Sequence, residues 1–287
     1  MPGGFMEGRK TMKGVAAFFG IAVLLLAFGA PKAAAVGGQY VSISGCSVSN
    51  LGYLRYLTAQ YEELTGAKIL LMGGGSRIGL ADLAGRRVDV DASCMSKTAG
   101  TMRGLRFTQV AWDALVFIVN KSNPVKNITL KQVRDIYFGK VTNWRQLGGP
   151  DMPLESFISN PSEMGGVDQS LSRLVLGGRM PPVVANSRIV GCSAAMWEQM
   201  VEVTPGGFAA TGFASARFRN LRMLEVDGAA PTKRNIISGR YPLKRPLWLV
   251  TGRAPGPAAQ KFIRFVLSAE GQGLISKYGV PSLRDIK

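Results

Sequence analysis

The sequence predicts an α/β fold in which a mostly parallel sheet is covered by helices and the chain divides into two lobes. Strand and helix patterns alternate over about 60 residues after an apolar leader, which is typical of parallel sheets with helices on their faces. The alternation returns in the second half, with no internal repeat and no low-complexity linker. The 287 residues, 46% of them hydrophobic, suffice for one large domain or two small ones.

The leader has the pattern of a secretory signal peptide. Arg9, Lys10 and Lys13 precede an apolar run at residues 15–30, and Pro31-Lys32-Ala33-Ala34-Ala35 follows it. The run is shorter than the roughly 20 residues that cross a bilayer comfortably, although an uncleaved N-terminal anchor is the alternative. We therefore predict that residues 1–35 are removed near Ala35/Val36 and that the protein is periplasmic or secreted.

The first half of the exported chain shows five elements, each with its own signal. Strands are predicted from alternating or apolar runs, the first helix from apolar residues at helical spacing with Gly66 at its end, and the second helix after a glycine-rich turn. In order they are a strand at 40–44, a helix at 51–64, a strand at 68–72, a helix at 78–84 and a strand at 88–93.

The second half continues with both element types. Thr129 and Pro231-Thr232 are helix-start signals, and Gly139 ends the helix that Thr129 begins. The predicted strands are 110–120, 154–159, 208–213, 221–226 and 246–250. The predicted helices are 129–137, 167–176, 194–203, 231–237, 257–267 and 270–278.

The net charge of the chain indicates which kinds of partner it would bind. The chain has 35 Lys plus Arg against 18 Asp plus Glu, a net charge of +17 that favours anionic surroundings such as phosphate-like ligands, anionic lipid or cell-wall polymer. The basic residues are scattered rather than interleaved with aromatics on one element, so we predict no nucleic-acid partner. The sequence contains no histidine, which excludes Ser-His triads, histidine acid–base chemistry and His-containing zinc sites.

Several motifs in fixed order resemble the solute-binding proteins of phosphate ABC transporters, a family within the phosphate-binding-protein-like superfamily. The Phe138-to-Trp144 stretch is the most specific, and the likeness covers essentially all of residues 40–285. The stretches that carry it are Ser44-Gly45-Cys46-Ser47-Val48, Gly74-Gly75-Ser76, Val88-Asp89-Val90-Asp91-Ala92-Ser93, Ile118-Val119-Asn120, Thr129-Leu130, Asp135-Ile136-Tyr137-Phe138-Gly139-Lys140, Val141-Thr142-Asn143-Trp144, Gly148-Gly149-Pro150-Asp151, Thr204-Pro205-Gly206-Gly207-Phe208, Tyr241-Pro242-Leu243 and Arg245-Pro246-Leu247.

The resemblance implies a two-lobed, type II periplasmic-binding-protein-like fold with the ligand cleft between the lobes. Its boundaries would place 36–115 plus 230–287 in lobe 1 and 116–229 in lobe 2. The implied function is binding of phosphate or a related oxyanion by lobe closure, without chemistry, and delivery to an ABC transporter permease. A monomer with no cofactor and no metal is expected.

The family's ligand contacts carry over by position. Strand-to-helix turns agree with these positions, because ligands in open α/β sheets lie beyond the carboxyl ends of strands and helix N-termini favour anions. The implied ligand-binding residues are Ser47, Val48, Ser76, Cys94, Asn160, Met164, Gly165 and Gly166, with Arg77 as an added candidate.

The second-lobe loop departs from the family pattern. Asn160 stands where an arginine is usual, and Met164 and Gly166 replace a serine and a threonine. Losing two charge-assisted hydrogen bonds would weaken phosphate binding about 10²- to 10⁴-fold. Arg77 or Lys97 could compensate; the alternative is that both are exposed surface charges.

The cysteines leave three interpretations open. On the family fold Cys46 and Cys94 lie on neighbouring cleft loops, where they would form a disulfide, remain two buried thiols, or make a soft-ligand or redox site. Cys192, at the start of a second-lobe helix, is a third thiol, but no C-x-x-C spacing supports a metal site.

Three function classes remain at this point. The first is the solute-binding protein. The second is a ligand-poor relative that acts as a cell-envelope or extracellular interaction module, favoured by the departures in the second-lobe loop. The third, an enzyme, is disfavoured because the sequence shows no nucleophile–base pair.

Overall fold

The computed structural model describes residues 40–97, 102–191 and 193–286. The predicted signal peptide and Cys192 lie outside these ranges. The strands are β1 (Tyr40–Gly45), β2 (Lys68–Gly74), β3 (Val90–Ser93), β4 (Leu105–Asn120), β5 (Asn127–Ile128), β6 (Glu155–Ile158), β7 (Ser187–Ile189), β8 (Gly207–Gly212), β9 (Leu221–Met223), β10 (Glu225–Val226) and β11 (Lys244–Gly252). The helices are α1 (Ser47–Ser49), α2 (Arg55–Thr65), α3 (Ser76–Ala84), α4 (Leu130–Tyr137), α5 (Gly166–Leu174), α6 (Ala194–Val203), α7 (Phe213–Ala216), α8 (Lys233–Ser238), α9 (Pro257–Leu267) and α10 (Ala269–Lys277).

The main sheet is mixed rather than mostly parallel. Its strand order is β2-β1-β3-β11-β4-β8-β6-β7, with β9 also paired to β4. β1 is parallel to β2 and β3, and β6 is parallel to β7 and β8, whereas β11 and β4 run antiparallel to their neighbours. The expected parallel pattern therefore holds within each half of the sheet, and the two central strands break it.

Strand β4 joins the two halves of the sheet. Residues Leu105 to Ala114 pair with β11, and from Leu115 onward the strand pairs with β8. Both faces of this central strand are covered, since its residues from Val110 to Val119 are buried apart from Trp112. The change of partner lies beside the predicted lobe boundary at 115/116.

Local signals explain most element boundaries. Thr129 caps α4 through a capping box in which its hydroxyl accepts from the Gln132 N–H, and Gly66 ends α2 in the left-handed region at φ 68°. The first helix begins earlier than predicted, because Ser47–Ser49, a π-helical turn at Asn50–Leu54 and α2 follow one another without a break.

No helix among the described residues is long and apolar enough to span a bilayer.

Candidate functional site

A small pocket lies where the ends of β1, β2 and β3 meet the starts of α5 and α6. Its volume, including the part open to solvent, is about 240 Å³. Its lining residues are Cys46, Ser47, Gly75, Ser76, Cys94, Gly165, Gly166, Val167, Asp168, Ala194 and Trp197. First-lobe and second-lobe residues thus form opposite walls of one narrow pocket.

Four helix N-termini converge on this pocket. The residues at the starts of α1, α3, α5 and α6 all line it, represented by Ser47, Ser76, Gly166 and Ala194. The first-turn N–H groups of a helix have no intrahelical partner, and the helix dipole adds partial positive charge there. The convergence makes the pocket attractive to an anion.

The first-lobe wall carries two hydroxyls. Ser76 Oγ accepts a hydrogen bond from the Cys94 N–H at 3.0 Å, which ties α3 to the loop after β3. Ser47 Oγ accepts from Ser193 Oγ at 3.2 Å and from the Ala195 N–H at 3.4 Å. Ser47 therefore bridges the two walls directly.

Cys46 and Cys94 lie side by side as free thiols in this wall. Their sulfurs are 2.9 Å apart, and each side chain is almost completely buried. The hydrogen bond from Cys46 lowers the pKa of Cys94 to about 6, against burial and with help from Arg245 and Ser76. The same hydrogen bond, together with burial, raises the pKa of Cys46 well above its usual value. The pair therefore favours a thiolate on Cys94, while Cys46 keeps its proton.

A buried ion pair sits behind the cysteines. Arg245 on β11 donates through Nε and Nη2 to Asp113 Oδ2 on β4, at 3.0 and 2.8 Å, and both side chains are almost fully buried. Asp113 Oδ1 accepts from the Ala214 N–H, while Arg245 Nη1 contacts Ser170 Oγ at 3.3 Å. Ser170 Oγ in turn donates to the Gly166 carbonyl. The guanidinium is thus connected to the start of α5.

The surroundings of Arg245 keep it charged. Burial works to lower its pKa, but the negative charges of Cys94 and Asp113 outweigh burial and raise it. Gly212 makes room for the pair, since a Cβ there would lie 2.6 Å from Asp113 Oδ2 and 2.7 Å from Arg245 Nη2. Arg245 does not line the pocket, but its charge acts on the pocket through Cys94.

The second-lobe wall offers backbone and a carboxylate. Asp168 Oδ2 accepts from the Gly165 N–H at 2.8 Å and from Ser159 Oγ at 2.7 Å, and burial raises its pKa. Gly166 packs on the opposite wall, where a Cβ would lie 2.6 Å from Cys94 Sγ and 2.8 Å from the Met95 nitrogen. A threonine at this position would collide with the Cys94 loop.

The predicted ligand-binding residues separate into two groups. Ser47, Ser76, Cys94, Gly165 and Gly166 line the pocket. Val48 and Met164 are buried but do not line it, and Arg77, Lys97 and Asn160 are exposed. Asn160 Oδ1 accepts from Ser162 at the start of a short 3-10 helix. The exposed interpretation of Arg77 and Lys97 thus agrees with the structure, and neither supplies the missing cation to the pocket.

Three ionisable groups at or behind the pocket were not predicted as site residues from the sequence. Arg245 and Asp113 were not considered as a pair, and Asp168 was not considered at all. A signal was available, because Asp113 interrupts an apolar strand and Arg245 directly precedes the predicted strand 246–250. Ionisable residues in buried strands need a partner.

No group of three or more His, Cys, Asp or Glu side chains suited to a metal ion occurs within the described ranges.

Comparison with known proteins decides the family. The profile of the PBP superfamily domain matches residues 30–270. The chain belongs to this superfamily. That match spans both walls of the pocket and both central strands of the sheet.

Two curated proteins similar to this chain are phosphate-binding proteins. The phosphate-binding protein PstS of Borreliella burgdorferi is 27% identical over 251 residues, covering 84% of this chain and 89% of the relative. PstS of Bacillus subtilis is 26% identical over 252 residues, covering 86% and 82%.

Solved structures show the same two-lobed fold. A Clostridium perfringens protein assigned as a phosphate ABC transporter substrate-binding protein, solved with bound phosphate, has a TM-score of 0.76 at 25% identity and covers 85% of this chain and 99% of its own. An ABC-type phosphate transport receptor from Vibrio cholerae has a TM-score of 0.64 at 25% identity, covering 85% and 99%. The predicted fold class is confirmed.

Proposed function

We propose that this protein is a solute-binding protein that captures phosphate or a related oxyanion outside the cytoplasm and delivers it to an ABC transporter permease. The convergence of four helix N-termini on one pocket carries the proposal, since their N–H groups and dipoles favour an anion. The names of the relatives support phosphate as the first candidate. Binding is the whole function, and no bond is made or broken.

Closure of the lobes is the proposed mechanism. We place the lobes at 36–115 plus 230–287 and at 116–229, supported by the change of partner along β4 at Ala114 and Leu115. Ser47 Oγ and Ser193 Oγ are 3.2 Å apart, in direct contact between the two walls, so a tetrahedral oxyanion placed between them requires the walls to part. Movement about β4 and β11 would open the pocket, and the contact between Ser47 and Ser193 would re-form around the ligand.

Arg245 is the proposed substitute for the arginine that the second-lobe loop lacks. It is buried beside the pocket, and its hydrogen bond with Ser170 connects it to the start of α5. Asp113 engages Nε and Nη2 of the guanidinium, and Nη1 is the nitrogen directed to Ser170, so Arg245 would act on an anion through Ser170 and the start of α5. The cation would thus come from a central strand instead of the loop.

The acceptor groups in the pocket favour a protonated oxyanion. Asp168 lines the pocket as a carboxyl group, and Cys94 does so with a pKa of about 6. Phosphate and arsenate carry protons near neutral pH and can donate to such groups, whereas sulfate cannot. We expect phosphate and arsenate to bind more tightly than sulfate.

The remaining features follow from the proposed function. We propose a monomer that is exported after cleavage near Ala35/Val36, with no cofactor and no nucleic-acid partner. The full chain has a net charge of +17, and residues 1–35 contribute +3 of it, so the exported chain keeps +14 (17 − 3), which supports an anion-attracting surface.

Isothermal titration tests the proposal. Residues 36–287 would be partly unfolded and refolded to remove bound ligand, then titrated with phosphate, arsenate, sulfate and molybdate at fixed salt. We expect phosphate to bind with a Kd of about 1 µM or tighter. A folded sample that gives no heat with any of these anions would reject the proposal and favour the interaction module.

A further inference from the structure

We infer that Cys46 and Cys94 form a reversible disulfide inside the pocket by exchange with a disulfide oxidant, and that the disulfide form binds anions more tightly. The second part rests on the proposed function, while the first does not. The disulfide would replace a charged thiol pair by a neutral bridge in the first-lobe wall.

The backbone holds the two sulfurs in place for this reaction. Cys46 follows β1 and Cys94 follows β3, and these parallel neighbours are paired through Gly45 and Ala92. The Cys46 N–H donates to the Ala92 carbonyl at 2.6 Å, which fixes one strand end against the other. The sulfurs are 2.9 Å apart, so they need to move by only about 1 Å to reach the roughly 2.05 Å of a disulfide.

Cys94 is the thiol suited to react first. Its sulfur receives the Cys46 S–H, lies 3.5 Å from Ser76 Oγ and is held near the Arg245 guanidinium. Nearby cations and hydrogen-bond donors stabilise a thiolate, which is the reactive form. Cys46, which keeps its proton, is placed to complete the bond.

The reaction balances as a two-step exchange. The Cys94 thiolate attacks one sulfur of the oxidant RSSR, forms a mixed disulfide and releases RS⁻. Cys46 then attacks Cys94 Sγ, its proton passes to a departing thiolate, and the second sulfur of the oxidant leaves. The protein loses two electrons to the oxidant, which becomes RSH and RS⁻.

Access to the thiols is through the pocket. The exposed fractions of Cys46 and Cys94 are only 3% and 4%, and both residues line the pocket. An oxidant would therefore reach them when the lobes part. A bound anion that keeps the lobes closed should slow the oxidation.

The charge balance explains the expected effect on affinity. In the reduced state the Cys94 thiolate and the Asp113 carboxylate both offset the charge of Arg245, whereas burial raises the pKa of Asp168 in the opposite wall and favours its neutral form. Asp91 on β3 also faces this region, but its carboxyl oxygens are buried without hydrogen-bond partners and burial raises its pKa, which favours the neutral form. The disulfide removes the thiolate charge. We expect phosphate to bind at least about tenfold more tightly after oxidation.

Mass spectrometry tests the disulfide. The folded protein would be treated with oxidised glutathione in a Cys192→Ser background, with Cys46→Ser in the same background as the matched control. We expect loss of two hydrogens and a linked Cys46–Cys94 peptide, reversed by dithiothreitol, while the control stops at a glutathione adduct. Two thiols that remain free, or adducts without the linked peptide, would overturn the inference.

Titration of both forms with phosphate separates this inference from the proposed function. A linked peptide with tighter binding in the oxidised form supports both parts. If the disulfide forms but both forms bind phosphate equally, the charge argument is wrong. If the disulfide forms and neither form binds an anion, the proposed function fails while the redox pair stands. If the protein binds phosphate but no disulfide forms, the proposed function stands and the disulfide inference fails.

Discussion

The two walls of the pocket present different chemical groups to the same proposed ligand. The first-lobe wall presents hydroxyls and thiols at strand ends, through Ser47, Ser76 and the Cys46–Cys94 pair. The second-lobe wall presents the start of α5 and the carboxyl group of Asp168. The difference teaches that the charged groups of this site come from different parts of the fold, since the central strand β11 carries the buried Arg245, which is connected to the start of α5 through Ser170.

The two walls also depend on each other. Cys94 Sγ occupies the space into which a side chain at position 166 would extend. Gly166 in the second-lobe wall and Cys94 in the first-lobe wall therefore pack directly against each other. A larger side chain at position 166 would therefore require the Cys94 loop to move.

Replacing Arg245 should have the largest effect, because it removes the cation of the buried Arg245–Asp113 ion pair. Arg245→Met leaves Asp113 buried without its cation, so we expect the free energy of unfolding to fall by about 3–5 kcal/mol. Urea denaturation measures it. Adding Asp113→Leu should recover most of the stability but not phosphate binding. Full binding by this double variant would show that Arg245 is only structural.

Replacing Gly166 in the second-lobe wall by threonine should have the second-largest effect. In Gly166→Thr the new Cβ meets Cys94 Sγ and the Cys94 and Met95 backbone at 2.6 to 2.8 Å, so we expect a loss of about 1–3 kcal/mol in unfolding free energy and weaker phosphate binding. Gly165→Ala is the matched control, because a Cβ there has no atom within 4 Å. Equal stability of both variants would contradict the coupling of the walls.

The pH dependence of the free energy of unfolding should show whether Cys94, in the first-lobe wall, is a thiolate. The pKa of Cys94 falls to about 6 on folding, so its contribution is present at high pH and is lost as pH falls toward 6. We expect the reduced protein to gain about 1–2 kcal/mol in unfolding free energy between pH 6 and 8, relative to Cys94→Ser. Parallel curves for the two proteins would contradict a thiolate at this position.

Removing the contact between the walls should have a smaller effect. Ser47→Ala deletes the oxygen that accepts from Ser193 Oγ and the Ala195 N–H, so we expect phosphate affinity to fall by about 2- to 10-fold. Titration measures it, and Ser162→Ala, an exposed serine outside the pocket, is the control. An unchanged affinity would show that Ser47 does not take part in closure.

The exposed cations should matter least. Arg77→Ala and Lys97→Ala remove charges that do not line the pocket, so we expect phosphate affinity at 0.15 M salt to stay within about twofold, because such charges are screened. If either variant binds phosphate tenfold or more weakly, the cation that contacts phosphate is Arg77 or Lys97, on the first-lobe loops.

The sequence by itself determined the local structure and the family pattern. Periodicity and cap signals predicted nearly every helix, including α6 and α9 with the bounds that the structure has, because those signals are local. Motif order also predicted the two-lobed fold and placed Ser47, Ser76 and Cys94 at the pocket.

Only the tertiary structure decided which groups meet. Asp113 and Arg245 are 132 positions apart, and their contact depends on the antiparallel register of β4 and β11, which no local pattern reveals. The same is true of Gly166 against Cys94, where the reason for a glycine lies on the other wall. Local signals fix elements because they act within a few residues, whereas the charge and shape of this pocket come from contacts between distant segments.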